Sequence, residues 1–170
     1  AVRLAFDLAE RLDAKLELVH AVRMPIGEWR VSDPAHTEPD MEEVLRSASE
    51  RVREHVRALQ AGRPGSQAVD PTRVLPGSPA AILLETARGN KADLIVLGSH
   101  KQRGLFDFGS TVRAVLAKAT VPVWIQSQPL RRIERVLVPI DLSEDCLRAL
   151  SLACVLAERL GANVRAVHVF

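Results

Sequence analysis

The opening and closing segments of the chain are near-copies of each other. When residues 1–22 are set beside residues 149–170, a shift of 148 positions, eleven of the twenty-two pairs are identical. Ala-Glu-Arg-Leu occurs at 9–12 and again at 157–160, and His20 matches His168. Self-similarity at a fixed period indicates a repeated structural unit. The sequence therefore predicts one unit of about 148 residues, followed by the beginning of a second.

Each copy has the pattern of a helix followed by a strand. In residues 1–12 the apolar side chains recur at helical spacing, Asp13 suits a left-handed stop, and residues 15–21 form an apolar strand. The second copy is preceded by a further apolar strand at 135–141, and Ser143 caps its helix. The first copy lacks such a strand. If the missing strand is central, its place could be taken by 135–141 of this chain, by 135–141 of a partner chain, or by residues upstream of Ala1.

Between the two copies, helix and strand patterns alternate. Helices are predicted at 40–59, 79–88 and 110–119, and strands at 72–75, 93–98 and 121–126. Such alternation predicts an α/β fold, with right-handed βαβ units, an open parallel sheet and helices on both of its faces. The predicted domains are 1–127, without its first strand, and 133–170, a strand–helix–strand opening of the next.

The stretch from Asp93 to Thr111 combines a strand, a glycine-bearing loop and a helix start. The strand ends at Gly98, and Gly109, Ser110 and Thr111 open the following helix. A helix start offers backbone N–H groups and a positive dipole end to an anion, and the two hydroxyls add donors. An equally good interpretation is a plain strand–helix connection in which glycines provide turn geometry.

The composition excludes several functional classes. A net charge of +2 shows no nucleic-acid footprint, and 4% aromatic residues without any Tyr argue against base stacking. No apolar run reaches transmembrane length. Cys146 and Cys154 lie too far apart on one predicted helix to form a disulfide, and buried thiols in a reducing compartment are the simpler interpretation. We therefore expect a cytoplasmic protein without nucleic-acid or membrane partners.

Three segments of the sequence resemble the universal stress protein family. They are Val-Leu-Val-Pro-Ile-Asp-Leu-Ser at 136–143, Ala-Asp-Leu-Ile-Val-Leu-Gly-Ser-His at 92–100 and Gly-Ser-Thr-Val at 109–112. The resemblance implies an adenine nucleotide alpha hydrolase-like fold, an open five-stranded parallel sheet in the order 3-2-1-4-5. In that order the absent strand is the central one. The resemblance also implies adenine-nucleotide binding, as in many members, at the carboxyl ends of the strands.

The resemblance assigns roles to individual residues. Asp141 matches the family's adenine-contacting carboxylate and has Pro139 beside it, whereas Ala21 and Val169 match a position that packs on the base. The positions that match the phosphate loop are Gly98, Gly109, Ser110 and Thr111.

The phosphate loop also departs from the family pattern. Lys101 stands where ATP-binding members have a second glycine, and seven residues, 102–108, replace the usual nine before Gly109. A missing glycine can block close approach of the backbone to phosphate. The charges of Lys101 and Arg103 could instead hold phosphates in another way, so Lys101 remains a candidate binding residue.

Taken together, these features predict a universal stress protein that binds ATP or a related adenine nucleotide, with or without Mg²⁺, in a stress response. The alternative is the same fold without nucleotide, acting through dimerisation or partner contacts. A homodimer is expected in either case. The sequence shows no nucleophile–base pair, catalytic residue or metal site, so we do not expect an enzyme. His20 and His168 are interpreted as structural, and His100 is a weaker candidate for ligand contact.

Overall fold

A computed structural model describes residues 1–23, 40–61, 72–98, 109–126 and 132–168. These ranges contain five helices and six strands, which confirm the predicted alternation. In chain order they are α1 (Val2–Leu12), β1 (Leu18–Val22), α2 (Met41–Ala61), β2 (Thr72–Pro76), α3 (Pro79–Gly89), β3 (Ile95–Gly98), α4 (Ser110–Leu116), β4 (Val123–Gln126), β5 (Arg135–Ile140), α5 (Glu144–Leu160) and β6 (Asn163–His168).

The strands form three parallel pairs, β1–β2, β3–β4 and β5–β6. Leu18 is opposite Thr72, Ile95 is opposite Val123, and Arg135 is opposite Asn163. The parallel α/β class is thus confirmed, but the described residues do not join into one five-stranded sheet. Within them β5 pairs with β6 over six residues. This pairing uses one edge of β5, and the hypothesis that 135–141 fills the slot beside β1 stays a prediction.

The chain divides into two compact units. Unit 1 comprises residues 1–6 and 15–128, and unit 2 comprises residues 7–14 and 129–170. In unit 1, α3 packs against the β3–β4 pair around a buried cluster of Ala80, Leu84, Ile95 and Val115. The same helix also contacts β1, while α2 lies on β1 and β2. Helix α3 therefore touches strands of both parallel pairs in this unit.

In unit 2, α5 packs on β5 and β6 and buries Ala153, Ala157 and Leu160. The strand residue Val138 is buried, whereas its neighbour Leu137 is 66% exposed. Successive strand side chains point to opposite faces, so the β5–β6 pair is covered by α5 on one face only. An apolar strand of this kind was expected to be buried on both faces.

Two local predictions on helices are wrong. Cys146 is half-buried and Cys154 is exposed, because the buried stripe of α5 runs through residues 153, 157 and 160. Helix α4 ends at Leu116 rather than at the predicted residue 119. None of the helices in the described ranges is both long enough and apolar enough to cross a membrane.

Candidate functional site

The positions that match the phosphate loop lie in unit 1, at the end of β3 and the start of α4. Gly98 ends β3 and is exposed, while Gly109 is buried and immediately precedes α4. Because Gly109 has no side chain, it forms no side-chain cap on the first N–H groups of α4. Ser110 is exposed and Thr111 is half-buried in the first turn. The hydroxyl and amide donors expected from the sequence are thus neighbours in the structure.

Turn geometry does not explain either glycine. Gly109 has φ −53° and ψ 159°, a conformation open to any residue, and Gly98 has no positive φ. A Cβ on Gly98 would instead come within 3.2 Å of the Cβ of Ala1, which is a tight contact. Space rather than backbone conformation therefore accounts for Gly98. Neither position needs glycine for a left-handed backbone, and both the plain strand–helix interpretation and the phosphate-loop assignment stay predictions.

Ala21 lies on β1 opposite Leu75 and is half-buried. It lines a groove of about 1060 Å³ in unit 1, which the sequence interpretation did not anticipate. Its lining includes apolar side chains together with acidic and basic ones. The lining residues are Val2, Leu18, Val19, His20, Ala21, Val22, Arg23, Asp40, Glu43, Val44, Ser47, Ala48, Arg51, Val52, His55 and Val56. This groove follows the whole length of β1.

Asp141 lies in unit 2, directly after β5, and its side chain is exposed. One of its carboxylate oxygens, Oδ1, accepts a hydrogen bond from the Ser143 N–H at 2.9 Å. Hydrogen bonds from the Ser143 hydroxyl and then from the Ser143 N–H hold the pKa of Asp141 below its ordinary value. The carboxylate is therefore ionised at neutral pH and can accept hydrogen bonds from a ligand.

The turn after Asp141 is strained. Leu142 has φ 66°, in the left-handed region that a leucine rarely adopts, and its side chain is 71% exposed. Such a conformation costs on the order of 1–3 kcal/mol and persists where surrounding contacts fix it. Here Ser143 Oγ accepts the Cys146 N–H at 3.2 Å and so caps α5. Pro139, two residues before Asp141, is exposed on β5.

The structure thus separates the candidate binding residues into two groups. Unit 1 holds the positions that match the phosphate loop together with Ala21, and unit 2 holds Pro139 and Asp141. The repeat explains the division, since Asp141 belongs to the second copy and Ala21 to the first. Lys101, His100 and Val169 lie outside the described residues. Across the ranges that are described, no group of three or more His, Cys, Asp or Glu side chains is placed to hold a metal ion.

Sequence comparison finds relatives of one kind. The model of the family described as "Universal stress protein family" matches residues 1–126 and 132–170. A Thermus aquaticus protein described as "Universal stress protein in QAH/OAS sulfhydrylase 3′ region" is 37% identical over 120 residues. That alignment covers 68% of this chain and 79% of the relative.

Structural comparison agrees with this. The crystal structure of a universal stress protein from Archaeoglobus fulgidus DSM 4304 superposes with a TM-score of 0.68 and 18% sequence identity. The superposition covers 99% of this chain but 62% of that protein, so this chain spans less than two thirds of its length. At this identity the likeness shows the fold alone. Because the family model covers nearly the whole sequence in two consecutive segments, the chain belongs to the universal stress protein family.

Proposed function

We propose that this chain is a cytoplasmic stress-response protein that binds ATP or a related adenine nucleotide, and that it is not an enzyme. The observation that carries the proposal is Asp141. Its carboxylate is exposed at the carboxyl end of β5 and accepts a hydrogen bond from the Ser143 N–H. Open α/β sheets bind ligands outside the carboxyl ends of their strands. An ionised carboxylate there can accept the N–H groups of an adenine amine.

Unit 1 holds the positions that match the family's phosphate loop, and these would serve a nucleotide bound by this unit. Gly98 and the first turn of α4 would face the phosphates with backbone N–H groups and with the hydroxyls of Ser110 and Thr111. Lys101 would add a positive charge to the same loop. These donors fit an anion rather than a cation. Any Mg²⁺ that accompanies the nucleotide would be held by its phosphates, because the described residues offer no cluster of metal ligands.

The proposal includes the sheet order 3-2-1-4-5 that the family resemblance implies. The β2–β1 and β3–β4 pairs would be its outer strands, with a strand like β5 between β1 and β3. Two observations support this order. Helix α3 contacts β1 and packs on Ile95 of β3, and in the described part of the chain neither β1 nor β3 pairs with a strand on its second edge. Residues 135–141 of this chain or of a partner chain, or residues preceding Ala1, would supply the central strand.

A second candidate function is a universal stress protein that binds no nucleotide and works through homodimerisation or partner contacts. Lys101 in place of a glycine and the shortened loop favour it. Large apolar side chains exposed in unit 2 also favour it: Leu137, Leu142, Leu147 and Val155 are each more than half exposed. Apolar surface of this kind often marks an interaction site.

Titration of the full chain with ATP and Mg²⁺, followed by calorimetry and by the melting temperature, separates the two candidates. A nucleotide that binds only the folded state raises the melting temperature. Asp141→Asn should weaken binding by roughly tenfold or more, since it removes a charged hydrogen-bond acceptor. Asp145→Asn is the matched control, because Asp145 is exposed on α5 and contacts Arg148. No heat and no melting shift at millimolar ATP would favour the second candidate.

A second pair of variants tests the positions that match the phosphate loop. Gly109→Ala places a methyl group at the start of α4 and should weaken ATP binding, whereas Gly89→Ala should not. A Cβ on Gly89 meets no atom within 4 Å. Gly109 is buried but has a backbone that alanine can adopt, so the variant is expected to fold. Equal ATP affinity in both variants would remove the phosphate-loop assignment.

A further inference from the structure

A histidine on the neighbouring strand forms a hydrogen bond with the backbone at the carboxyl end of β5. His168, the last residue of β6, has its Nδ1 atom 2.6 Å from the backbone oxygen of Ile140. A carbonyl oxygen can only accept a hydrogen bond, so Nδ1 must carry the hydrogen. The contact therefore fixes the tautomer of the neutral imidazole, with its hydrogen on Nδ1.

Two more contacts hold the same end of the strand. The Cys146 thiol on α5 lies 3.5 Å from the backbone oxygen of Pro139, and the Ser143 N–H donates to Asp141 at 2.9 Å. Three groups at this strand end thus contact three different parts of unit 2. They are the carbonyl oxygens of Pro139 and Ile140 and the carboxylate of Asp141. Leu142, which has a strained backbone, follows directly in the chain. A strained turn persists only where several surrounding contacts fix it.

The repeat provides an internal comparison for this contact. His20 on β1 is the counterpart of His168, at the shift of 148 positions. His20 is exposed along the groove, and the described residues place no strand on that second edge of β1. The same side chain is therefore seen beside a strand carbonyl in one copy and without one in the other.

We propose that His168 is a positioning residue, which sets the orientation of Asp141 through its Nδ1–H bond to the Ile140 carbonyl. His20 makes the equivalent bond when a strand like β5 lies against β1. The bond itself does not depend on the proposed function, whereas its effect on nucleotide binding does. His168 touches no ligand in this scheme, because it acts on the backbone immediately before Asp141.

The first test is the tautomer, read from long-range ¹H–¹⁵N NMR spectra of the full chain. His168 should show the Nδ1–H form, and His20 provides the reference imidazole in the same spectrum. The two signals are assigned from the variants His168→Asn and His20→Asn. A His168 imidazole with its hydrogen on Nε2 and a bare Nδ1 overturns the proposal, whether or not the protein binds ATP.

The second test uses two substitutions of His168. Asparagine keeps an N–H donor near the place of Nδ1, whereas leucine removes the donor and retains bulk. His168→Asn should leave the Asp141 NMR signals and the ATP affinity within about threefold of the parent, and His168→Leu should shift those signals and weaken ATP binding by roughly tenfold. Equal behaviour of the two variants overturns the proposal. If the parent binds no ATP, the proposed function fails and the Asp141 signals alone decide the role of His168.

Discussion

The two copies of the helix–strand repeat share half of their residues but do not bury the same set of helix positions. Helix α1 buries Leu4, Ala5, Phe6 and Leu8, whereas α5 buries Ala153, Ala157 and Leu160, the counterparts of Ala5, Ala9 and Leu12. Leu4 is 3% exposed and its counterpart Leu152 is 37% exposed. Helix α5 packs on its own preceding strand, β5, and no such strand precedes α1 in the described residues. The two copies thus bury overlapping stripes that share the position of Ala5 and Ala153.

The strands of the two copies differ in the same sense. Strand β6 begins at Asn163 and pairs over six residues with β5, the strand that precedes it. Strand β1 begins at Leu18, three residues later in the repeat, and pairs over five residues with β2, the strand that follows it. A strand extends as far as its partner offers backbone groups to bond. The repeat sequence permits both lengths, and the available partner selects one.

The largest expected effect tests the helix comparison directly. Leu4→Ala should lower the free energy of unfolding by about 3 kcal/mol, because it leaves a cavity at a buried position. Leu152→Ala, at the equivalent position, should cost less than about 1 kcal/mol because its side chain is partly solvated. Urea denaturation measures both. Equal losses would mean that the two helices are buried alike.

Substitutions at the residues that end α1 and α5 should have the next largest effect on stability, with opposite signs in the two copies. Gly161 has φ 66° and Asp13 has φ 51°, so both adopt the left-handed conformation at the same repeat position. Gly161→Ala should destabilise the protein by roughly 1–2 kcal/mol, since a Cβ is strained there. Asp13→Gly should stabilise it by a few tenths of a kcal/mol or more. Thermal unfolding checks the signs, and a matching sign in both variants would contradict the shared geometry.

Substitution of the serine at the N-terminus of α5 or of α3 should have a smaller effect on stability. The Ser143 side chain accepts the Cys146 N–H, whereas Ser78 at the start of α3 forms no side-chain cap. Ser143→Ala should therefore cost about 1 kcal/mol of stability. Ser78→Ala should cost a few tenths at most, because it removes no hydrogen bond. Denaturation midpoints that fall equally for both variants would argue against the capping role of Ser143.

The smallest effect concerns protonation. The pKa of Asp141 is lowered in the folded protein, so its stabilising contribution is present above the unfolded-state pKa and is lost as the pH falls through the folded-state pKa. Ser143→Ala should raise the pKa of Asp141 toward its ordinary value of 3.8. Carboxylate NMR titration measures this shift. Ser151→Ala is the control, because Ser151 donates to Leu147 and should leave the titration of Asp141 unchanged.

Local features of the fold were predictable because they depend on neighbours in the chain. The left-handed stop at Asp13 and the cap at Ser143 follow from residue types at fixed offsets, and the structure confirms both. The exposure of Cys154 and Leu137 was not predictable. It depends on which elements cover α5 and β5, and apolar sequence patterns do not specify the covering partner.

In the candidate site, too, local features were predictable and contacts between distant residues were not. Asp141 stands at a strand end, as predicted, because an apolar run followed by a polar residue marks that boundary. The repeat also placed Asp141 in the second copy and Gly98 and Gly109 in the first, and the structure assigns them to different units. His168 was interpreted as structural, but its contact with the Ile140 carbonyl was not predicted. Ile140 lies 28 residues away, beyond the reach of any local pattern.

The single-sided pairing of β1 has a consequence for amide deuterium uptake. Successive backbone N–H groups of a strand point to opposite edges, and only one edge of β1 is bonded among the described strands. Uptake along residues 18–22 should therefore alternate between slow and fast from one amide to the next. Arrival of a strand at the second edge would erase that alternation without changing the fold on either side.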